Sequence, residues 1–533
     1  MMFLVSLILC GTISAFYIPS QGGVGVDLGF NLSLILCLGI LLIGLTFHNH
    51  INERLNKSNK FIFLGIAAMG LPWTLSIAES PGIIVLIVVF LLWWISQSWF
   101  LSTNVKKQII LLIFSLALIQ CIIAIFQTFF PSQAFKIYEY SWIHNNGRPY
   151  GIFQQYNLLA SFLATGVGCG FFLVQKEKRK FVVGLYLSGL TVLCFVIALI
   201  QSRAGMLGAI LVIIAITTLH GFDQKVKTFI CLIFMATGIS AGTWVVHHTH
   251  IIVDGQLISM AREFKTSTYA RLSILKATLE MIAVKPLSGW GYGTFEYEFS
   301  RYIIAHPSLN VKDVGIVPHP HNEILFAWFQ GGIIALIGIL LLLLAWIKNI
   351  LSAWKEKNGS VGITMLIIPL LIHTNLEYPF YQSFIHLAVF VILFRIGEND
   401  SSEGDAHTKR DKIIMLFMGF CLVGYSLIAL YAHTQLTRYE RTGYINFPKN
   451  MPWYFKTNNE RARYDAMVAL LIDYNNTHNP DDLALFMRDA EKYSLKHNDR
   501  NIWLSMIMIS KFQGDVQKTH WLENDFKQIF LDN

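Results

Sequence analysis

Charge is what this sequence has least of. Of its 533 residues only 14% are Asp, Glu, Lys or Arg, against about 25% in soluble globular proteins. A chain so poor in charge cannot cover a water-facing surface. With 54% apolar residues and a mean hydropathy of +0.51, its main solvent is lipid. Cysteine is scarce as well: Cys10, Cys37, Cys121, Cys169, Cys194, Cys231 and Cys421 are the full set. Each falls inside an apolar run, without metal-ligand spacing and away from loops where a disulfide forms, so all read as small core residues. No low-complexity segment occurs. The net charge is +8, yet Lys and Arg sit mainly in short loops between apolar runs. That placement is a topological signal and argues against nucleic acid as a partner.

What is present is a succession of apolar runs long enough to cross a bilayer, about 17–25 residues each. They lie near 2–17, 28–46, 61–78, 82–101, 108–130, 158–174, 182–200, 204–220, 227–246, 323–347, 361–376, 381–395 and 413–433. The first resembles a signal peptide but lacks a basic leading region, so it counts as a span. The expected fold is all-α, a polytopic membrane helix bundle of about 12–13 spans. Aromatic residues, mostly Phe, make up 14% of the chain and suit lipid-facing helices and interfacial belts.

The basic loops are Arg54/Lys57/Lys60, Lys106/Lys107, Lys176/Lys178/Arg179/Lys180, Lys225/Lys227, Lys348/Lys355/Lys357 and Lys409/Arg410/Lys412. All fall on one side of these spans, which the positive-inside rule makes cytoplasmic. The N-terminus is then inside. The loops 131–157 and 247–322 and the tail 434–533 are outside. This divides the chain into a membrane domain, 1–433, and a small helical tail domain, 434–533, whose helices are predicted near 459–474, 481–497 and 501–512. Paired helices of this kind resemble tetratricopeptide hairpins, but no clean 34-residue repeat is found. The long loop carries a predicted amphipathic helix, Ser267 to Val284, stopped by Pro286. Ser288-Gly289-Trp290-Gly291-Tyr292-Gly293 follows; its glycines allow tight turns, and its aromatics either bind sugar or rest at headgroup level.

Ionisable groups close to lipid need a reason. Arg203, in Gln201-Ser202-Arg203-Ala204-Gly205, stands between two apolar runs; it either snorkels or serves a site. Arg271 opens the loop helix, as a solvated surface residue or as a diphosphate ligand, for which a planar, permanently charged fork is suited. His321, in Pro318-His319-Pro320-His321-Asn322-Glu323, precedes a span; a histidine there can act as a base. Pairing His319 and His321 with His248 and His250 would make a metal site, but no carboxylate cluster accompanies them. His373-Thr374-Asn375-Leu376-Glu377-Tyr378-Pro379 breaks an apolar stretch with more polar chemistry than a turn requires. Gln155 and Asn157 open the span at 158–174, as caps or as hydrogen-bonding ligands. All these groups come out on the same, outer side in a topology derived from other residues, which implies one outward-facing polar site.

These stretches resemble the bacterial O-antigen ligase and polymerase superfamily, and within it most resemble the PglL-type protein O-oligosaccharyltransferases. The motifs that carry the resemblance are Gly151 to Ala160, Ser202-Arg203-Ala204-Gly205, Arg271 through Gly293, His321-Asn322-Glu323 and His373 through Phe380. Glu377-Tyr378-Pro379 most favours the protein-glycosylating branch. One departure is visible: proline is expected between the Gln and Asn of the first motif, and Tyr156 stands there. The resemblance implies a glycosyltransferase that moves an oligosaccharide from a polyprenyl (undecaprenyl) diphosphate carrier to a Ser or Thr hydroxyl of a periplasmic protein, such as a pilin, at a bacterial inner membrane. His321, Arg203 and Arg271 are its expected catalytic residues. Gln155, Asn157, His373, Glu377 and Tyr378 are the expected substrate-binding ones, with Glu377 orienting His321 or Tyr378. No DxD-type motif appears in an outer loop, so neither metal nor other cofactor is expected. Ligation to lipid A-core, O-antigen polymerisation and lipid-linked glycan transport are the alternatives; transport fits least, because the polar groups gather at one face and no internal repeat is seen.

Overall fold

The computed structural model describes residues 13, 15–20, 25–47, 52–53, 57–76, 81–97, 101–220, 224–253, 256–261, 265–309, 316–356, 361–398, 405–406 and 409–530. The expected first span, 2–17, and Arg54 and Lys357 of the basic loops lie outside the described residues, except for positions 13 and 15–17. The fold is all-α. The first helices are α1 (Gly29–Thr46), α2 (Lys57–Ser76), α3 (Pro81–Gln97), α4 (Thr103–Phe129) and the short α5 (Pro131–Tyr138). Then come α6 (Tyr156–Lys176), α7 (Lys180–Ile200), α8 (Arg203–His220) and α9 (Lys225–His248). The long loop holds a small antiparallel hairpin, His250–Val253 with Gln256–Ser259, followed by α10 (Lys265–Val284) and α11 (Phe295–Ala305). Next are α12 (Glu323–Glu356), α13 (Val361–Thr364), α14 (Ile368–Thr374), α15 (Pro379–Gln382), α16 (Phe384–Ile396) and α17 (Lys409–Arg441). Four tail helices close the chain: α18 (Asn459–Thr477), α19 (Pro480–Ser494), α20 (Arg500–Phe512) and α21 (Val516–Phe530).

Among the described residues six helices are long and apolar enough to cross a bilayer, and six shorter apolar helices accompany them. The protein is multi-pass. Its centre is α6, buried along its whole length from Leu158 to Val174 and flanked by α4, α7 and α8. The peripheral α9 instead turns Phe229, Ile233 and Trp244 outward, as a lipid-facing helix does. Two helix pairs cross at glycines. A Cβ on Gly65 would stand 2.8 Å from the Gly338 carbonyl, joining α2 to α12, and one on Gly39 would stand 3.0 Å from the Gly419 carbonyl, joining α1 to α17. Without a hydrophobic force between helices in lipid, such close backbone approach is what holds them. Cys37, Cys121, Cys169, Cys194 and Cys231 are buried as expected; Cys421 is not, because it faces outward from α17.

The two ends of the bundle differ. At one end Lys107 and Arg179 pair with Glu177 at 3.0 and 3.2 Å, Lys227 Nζ donates to the Glu177 carbonyl at 2.6 Å, and Lys106 Nζ donates to the Glu398 carbonyl at 2.8 Å. The basic loops therefore also close the helix ends they sit on. At the other end lie α5, the hairpin, α10, α11 and the polar residues singled out above. The expected spans at 361–376 and 381–395 are not single helices. Pro369 is the second residue of α14 and Pro379 the first of α15, since proline is tolerated in the first turn of a helix and not inside. The result is a run of half-length helices whose break, residues 375–378, carries Glu377.

The aromatics of the glycine-rich loop segment pack; they do not face outward. Trp290 donates its indole N–H to the Met281 carbonyl at 2.8 Å, and Tyr292 is buried with its hydroxyl on the Met69 carbonyl. This segment docks where α12 is broken at Gly332, which adopts φ 61°. A side chain there would collide with the Leu287 carbonyl, so the break requires glycine.

The tail is tied down at two points. Its helices share a core of Met467, Phe486, Trp503, Met506 and Phe526, and Arg301 of α11 meets Asp525 at 2.7 Å. At its root, Arg461 of α18 is buried against α17: its Nε and Nη2 donate to both oxygens of Glu440 at 2.8 and 2.6 Å, Nη2 to Thr437 at 2.8 Å, and Nη1 approaches His433 at 2.9 Å. Removing one partner of such a buried pair strands the other charge, at a cost of about 3–5 kcal/mol. Arg461→Ala is expected to lower the thermal unfolding temperature in detergent and to open the junction at 442–458 to protease; unchanged melting would show that the pair contributes nothing.

Candidate functional site

The site is built around one carboxylate. Glu377 sits in the turn that closes α14, where its own N–H donates to the His373 carbonyl at 2.8 Å. It is buried, and four side chains from two other parts of the chain and its own turn surround it. Gln155 Nε2 donates at 2.9 Å and Asn157 Nδ2 at 2.5 Å. Arg271 Nη2 lies at 3.3 Å, and His373 Nε2 at 3.4 Å. Burial alone would raise the Glu377 carboxyl; His373, Asn157 and Arg271 outweigh it and hold it below the usual carboxylate range. It is therefore an anion at neutral pH, and acceptor-only. Glu377 holds these groups; among the described residues it makes no hydrogen bond to His321 or Tyr378.

Each neighbour is placed by local structure. The turn before α6 is clamped from α4: Gln127 Oε1 accepts from the Tyr150 and Gly151 N–H groups at 3.1 and 2.9 Å, and Gln120 Oε1 from Ile152 N–H at 3.1 Å. Tyr156 is the first residue of α6, the position where proline is favoured for its fixed φ and missing N–H. Here the turn is secured without proline. The Arg148 guanidinium lies 4.0 Å from the Tyr156 ring centroid, and the Tyr156 hydroxyl donates to Asn145 Oδ1 at 2.5 Å. The Gln120 and Gln127 clamp went unread in the sequence, although two glutamines seven apart in an apolar run share one helix face.

Ser202 connects the next element. Its hydroxyl donates to Asn157 Oδ1 at 2.7 Å and accepts from Gly205 N–H at 3.3 Å, capping α8. A Cβ on Gly205 would stand 2.5 Å from that of Ala160, so the glycine lets α8 touch α6. Arg203, the residue after the cap, is exposed in the first turn of α8. A contact chain thus runs Ser202–Asn157–Glu377–Arg271 from the element carrying one arginine to the element carrying the other.

His321 belongs to the same cluster. It has φ 57°, a left-handed conformation uncommon outside glycine, and its N–H donates to His319 Nδ1 at 2.9 Å. Asn322 Nδ2 reaches Asn375 Oδ1 at 3.3 Å, which joins this loop to the Glu377 turn. Burial, and then the neighbouring His319, push the His321 ring down to about 4. It is neutral at pH 7. The Leu376 backbone acts against this shift, and Nδ1 is buried without a partner among the described residues. Gln155 Oε1 is in the same condition. Two buried acceptors left unsatisfied within one cluster call for donors from outside the protein.

The other expected residues are placed differently. His373 is buried behind Glu377, with Nδ1 on Ser161 Oγ at 2.7 Å and Nε2 toward the carboxylate; no nitrogen remains for a substrate. Tyr378 stacks on His319 with ring centroids 4.4 Å apart. Together with Gln155 it lines a cavity of about 1370 Å³ that extends from Tyr381 and Gln382 to the tail residues Lys456, Arg463 and Lys492. Among the described residues no three His, Cys, Asp or Glu side chains gather as metal ligands would; His248 is instead stacked on Trp244.

The structure is that of a multi-pass membrane protein with a buried, charged cluster where its helix ends meet a loop. Residues 187–340, which include Arg203, Arg271 and His321, match the family described as O-antigen ligase. Residues 363–495, which include Glu377 and Tyr378, match the family described as the C-terminal part of a virulence factor membrane-bound polymerase. The two matched stretches contain four of the five motifs on which the sequence resemblance rests. The chain is similar to a general O-oligosaccharyltransferase of Acinetobacter baylyi (strain ATCC 33305 / BD413 / ADP1), at 25% identity over 295 residues, 53% of this chain and 49% of that protein. The match thus spans about half the length of the curated relative.

The His321 environment has a measurable consequence. Between about pH 6.5 and 4 the unfolded ring binds a proton that the folded ring does not, so stability falls as the pH drops through that window. His321→Gln removes this titration. The variant is expected to lose less thermal stability than the wild type between pH 6.5 and 4; parallel melting curves would contradict the buried, neutral ring.

Proposed function

We propose that this protein transfers an oligosaccharide from a polyprenyl diphosphate carrier to a Ser or Thr hydroxyl of an acceptor protein at the extracytoplasmic face of the inner membrane. The observation that carries the reading is the cluster itself: a neutral His321 with a ring nitrogen that has no partner among the described residues, an Arg271 fixed by Glu377, and Ser202, the residue before the exposed Arg203, bonded to Asn157 of the same cluster. The similarity to an O-oligosaccharyltransferase supports a protein acceptor over lipid A-core or another lipid-linked glycan.

In this reading the acceptor hydroxyl attacks the anomeric carbon. The new C–O bond forms as the bond from that carbon to the diphosphate oxygen breaks on the opposite face, inverting the centre. The hydroxyl proton passes to His321 Nδ1, a contribution of about 10²–10⁴-fold in typical enzymes. The electron pair leaves with the diphosphate, whose developing charge Arg203 and Arg271 stabilise as preorganised donors. Gln155 Oε1 accepts from a sugar or acceptor hydroxyl. The cavity running to the tail accommodates the glycan, being larger than the roughly 300–1,000 Å³ of small-ligand pockets. The arginines supply the charge a divalent cation otherwise provides, so the reaction is metal-independent.

The test is reconstitution of the purified chain with a lipid-linked oligosaccharide and a pilin-like acceptor, followed by intact-mass measurement. The wild type is expected to add one glycan mass, in the presence of chelator as in its absence. His321→Ala is expected to lose about 10²–10⁴-fold in kcat. Undiminished transfer by that variant removes the base; transfer to lipid A-core in place of protein moves the reading to a ligase.

A further inference from the structure

Behind Glu377 lies a string of buried polar side chains that the proposed reaction does not use. Ser383 Oγ is 2.7 Å from His386 Nδ1. His386 Nε2 is 2.9 Å from the Leu158 carbonyl and 3.2 Å from Ser161 Oγ. Ser161 Oγ is 2.7 Å from His373 Nδ1, and His373 Nε2 is 3.4 Å from Glu377 Oε2. Ser161, His373, Ser383 and His386 are each at most 1% exposed. Four buried polar side chains among apolar helices are costly to assemble, and none of them touches the cavity.

With both rings neutral, the partners give every link a direction. A carbonyl oxygen only accepts, so His386 Nε2 carries a proton; in a neutral ring Nδ1 is then bare and accepts from Ser383. At the far end the Glu377 carboxylate only accepts, so His373 Nε2 carries a proton; in a neutral ring its Nδ1 then accepts from the Ser161 hydroxyl at 2.7 Å, the other acceptor of that hydroxyl, the Leu158 carbonyl, standing farther off at 3.2 Å. Ser161 is left to accept from the shared His386 N–H. The two assignments were made from opposite ends and agree at Ser161, giving a single chain of donors, Ser383 to His386 to Ser161 to His373 to Glu377. We infer that Ser161 and His386 are positioning residues for the reaction proposed above: they lock the His373 tautomer that holds Glu377, and through it the geometry of Arg271, Gln155 and Asn157. The anchor is firm, since Phe384 N–H donates to Asn31 Oδ1 at 2.8 Å and Asn31 Nδ2 to the Gln382 carbonyl at 2.9 Å.

This inference rests on the transferase reading, so its test has one arm that needs activity and one that does not. In reconstituted transfer, Ser161→Ala is expected to lower kcat about tenfold while the donor KM stays within about twofold, because misplacing preorganised groups costs more in the transition state than in the ground state. Ser161→Thr keeps the hydroxyl and is expected to recover most of that loss. Equal losses in the Ala and Thr variants, or a loss confined to KM, would overturn the assignment. The second arm is a double-mutant cycle on thermal stability between Ser161→Ala and Glu377→Gln. These residues do not touch, so a purely local packing role gives additive losses, and additivity would overturn the chain. Coupling of the two in a protein that transfers no glycan would leave the positioning chain intact and remove the transferase reading alone.

Discussion

A carboxylate buried beside lipid-facing helices cannot stand alone, and the organisation of this protein follows from how that debt of solvation is met. Glu377 is removed from water, and the cost of an isolated buried charge is prohibitive. It is offset by four donors that no single element supplies: the N-terminal end of α6 gives Gln155 and Asn157, α10 gives Arg271, and α14 gives His373. The elements must come together for the charge to be tolerated. Conversely, losing the charge would release a loop helix, a helix start and a broken span from one another. A buried ion pair adds little net stability compared with apolar packing; what it supplies here is a fixed arrangement of groups at the helix ends.

That arrangement explains why the helices around the site are broken. A continuous span from 361 to 395 would satisfy its own backbone and leave no turn to carry Glu377. Interrupted backbone beside lipid is tolerated only where protein or a cavity covers it. Here Pro369 and Pro379 restart the helix on either side, and the freed groups are taken up locally, as when Glu377 N–H meets the His373 carbonyl. The break in α12 at Gly332 serves the same end, because it gives the loop segment from Gly289 to Gly291 backbone partners at Phe329 and Gln330. The loop that carries Arg271 is thereby seated against the helix that begins at Glu323, two residues after His321.

Much of this was legible from residues alone, for a physical reason. Long apolar runs have one stable form in lipid, so outside the broken stretch 361–396 the membrane helices fall where hydropathy puts them, from Gly29–Thr46 to Lys409–Arg441. Polar residues near lipid are rare enough to stand out, which is why Gln155, Asn157, Arg271, His321 and Glu377 were singled out before any contact was known. What could not be read was direction. Sequence gives His373 and Tyr378 as polar neighbours of Glu377, but only packing shows that His373 faces away from the cavity toward Ser161 and that Tyr378 lies on His319. Ser161 and His386 were passed over because a lone serine or histidine in an apolar run is usually satisfied locally. The partners that give them a directed role are 212 and 225 residues apart in sequence, beyond the reach of any local pattern.

The two faces of Glu377 have different chemistry, and that asymmetry is the last element of the argument. On the side of α6, α14 and α16 every neighbour is saturated: each histidine nitrogen and each hydroxyl in the chain from Ser383 to His373 has its partner. Toward the loop, acceptors are left open among the described residues, His321 Nδ1 and Gln155 Oε1 among them. A cluster that served only to join helices would gain by satisfying both sides, since each buried acceptor left unpaired costs about 1–3 kcal/mol. In the transfer proposed above, substrate hydroxyls would supply the missing donors, and the completed face behind Glu377 would hold their partners in one geometry.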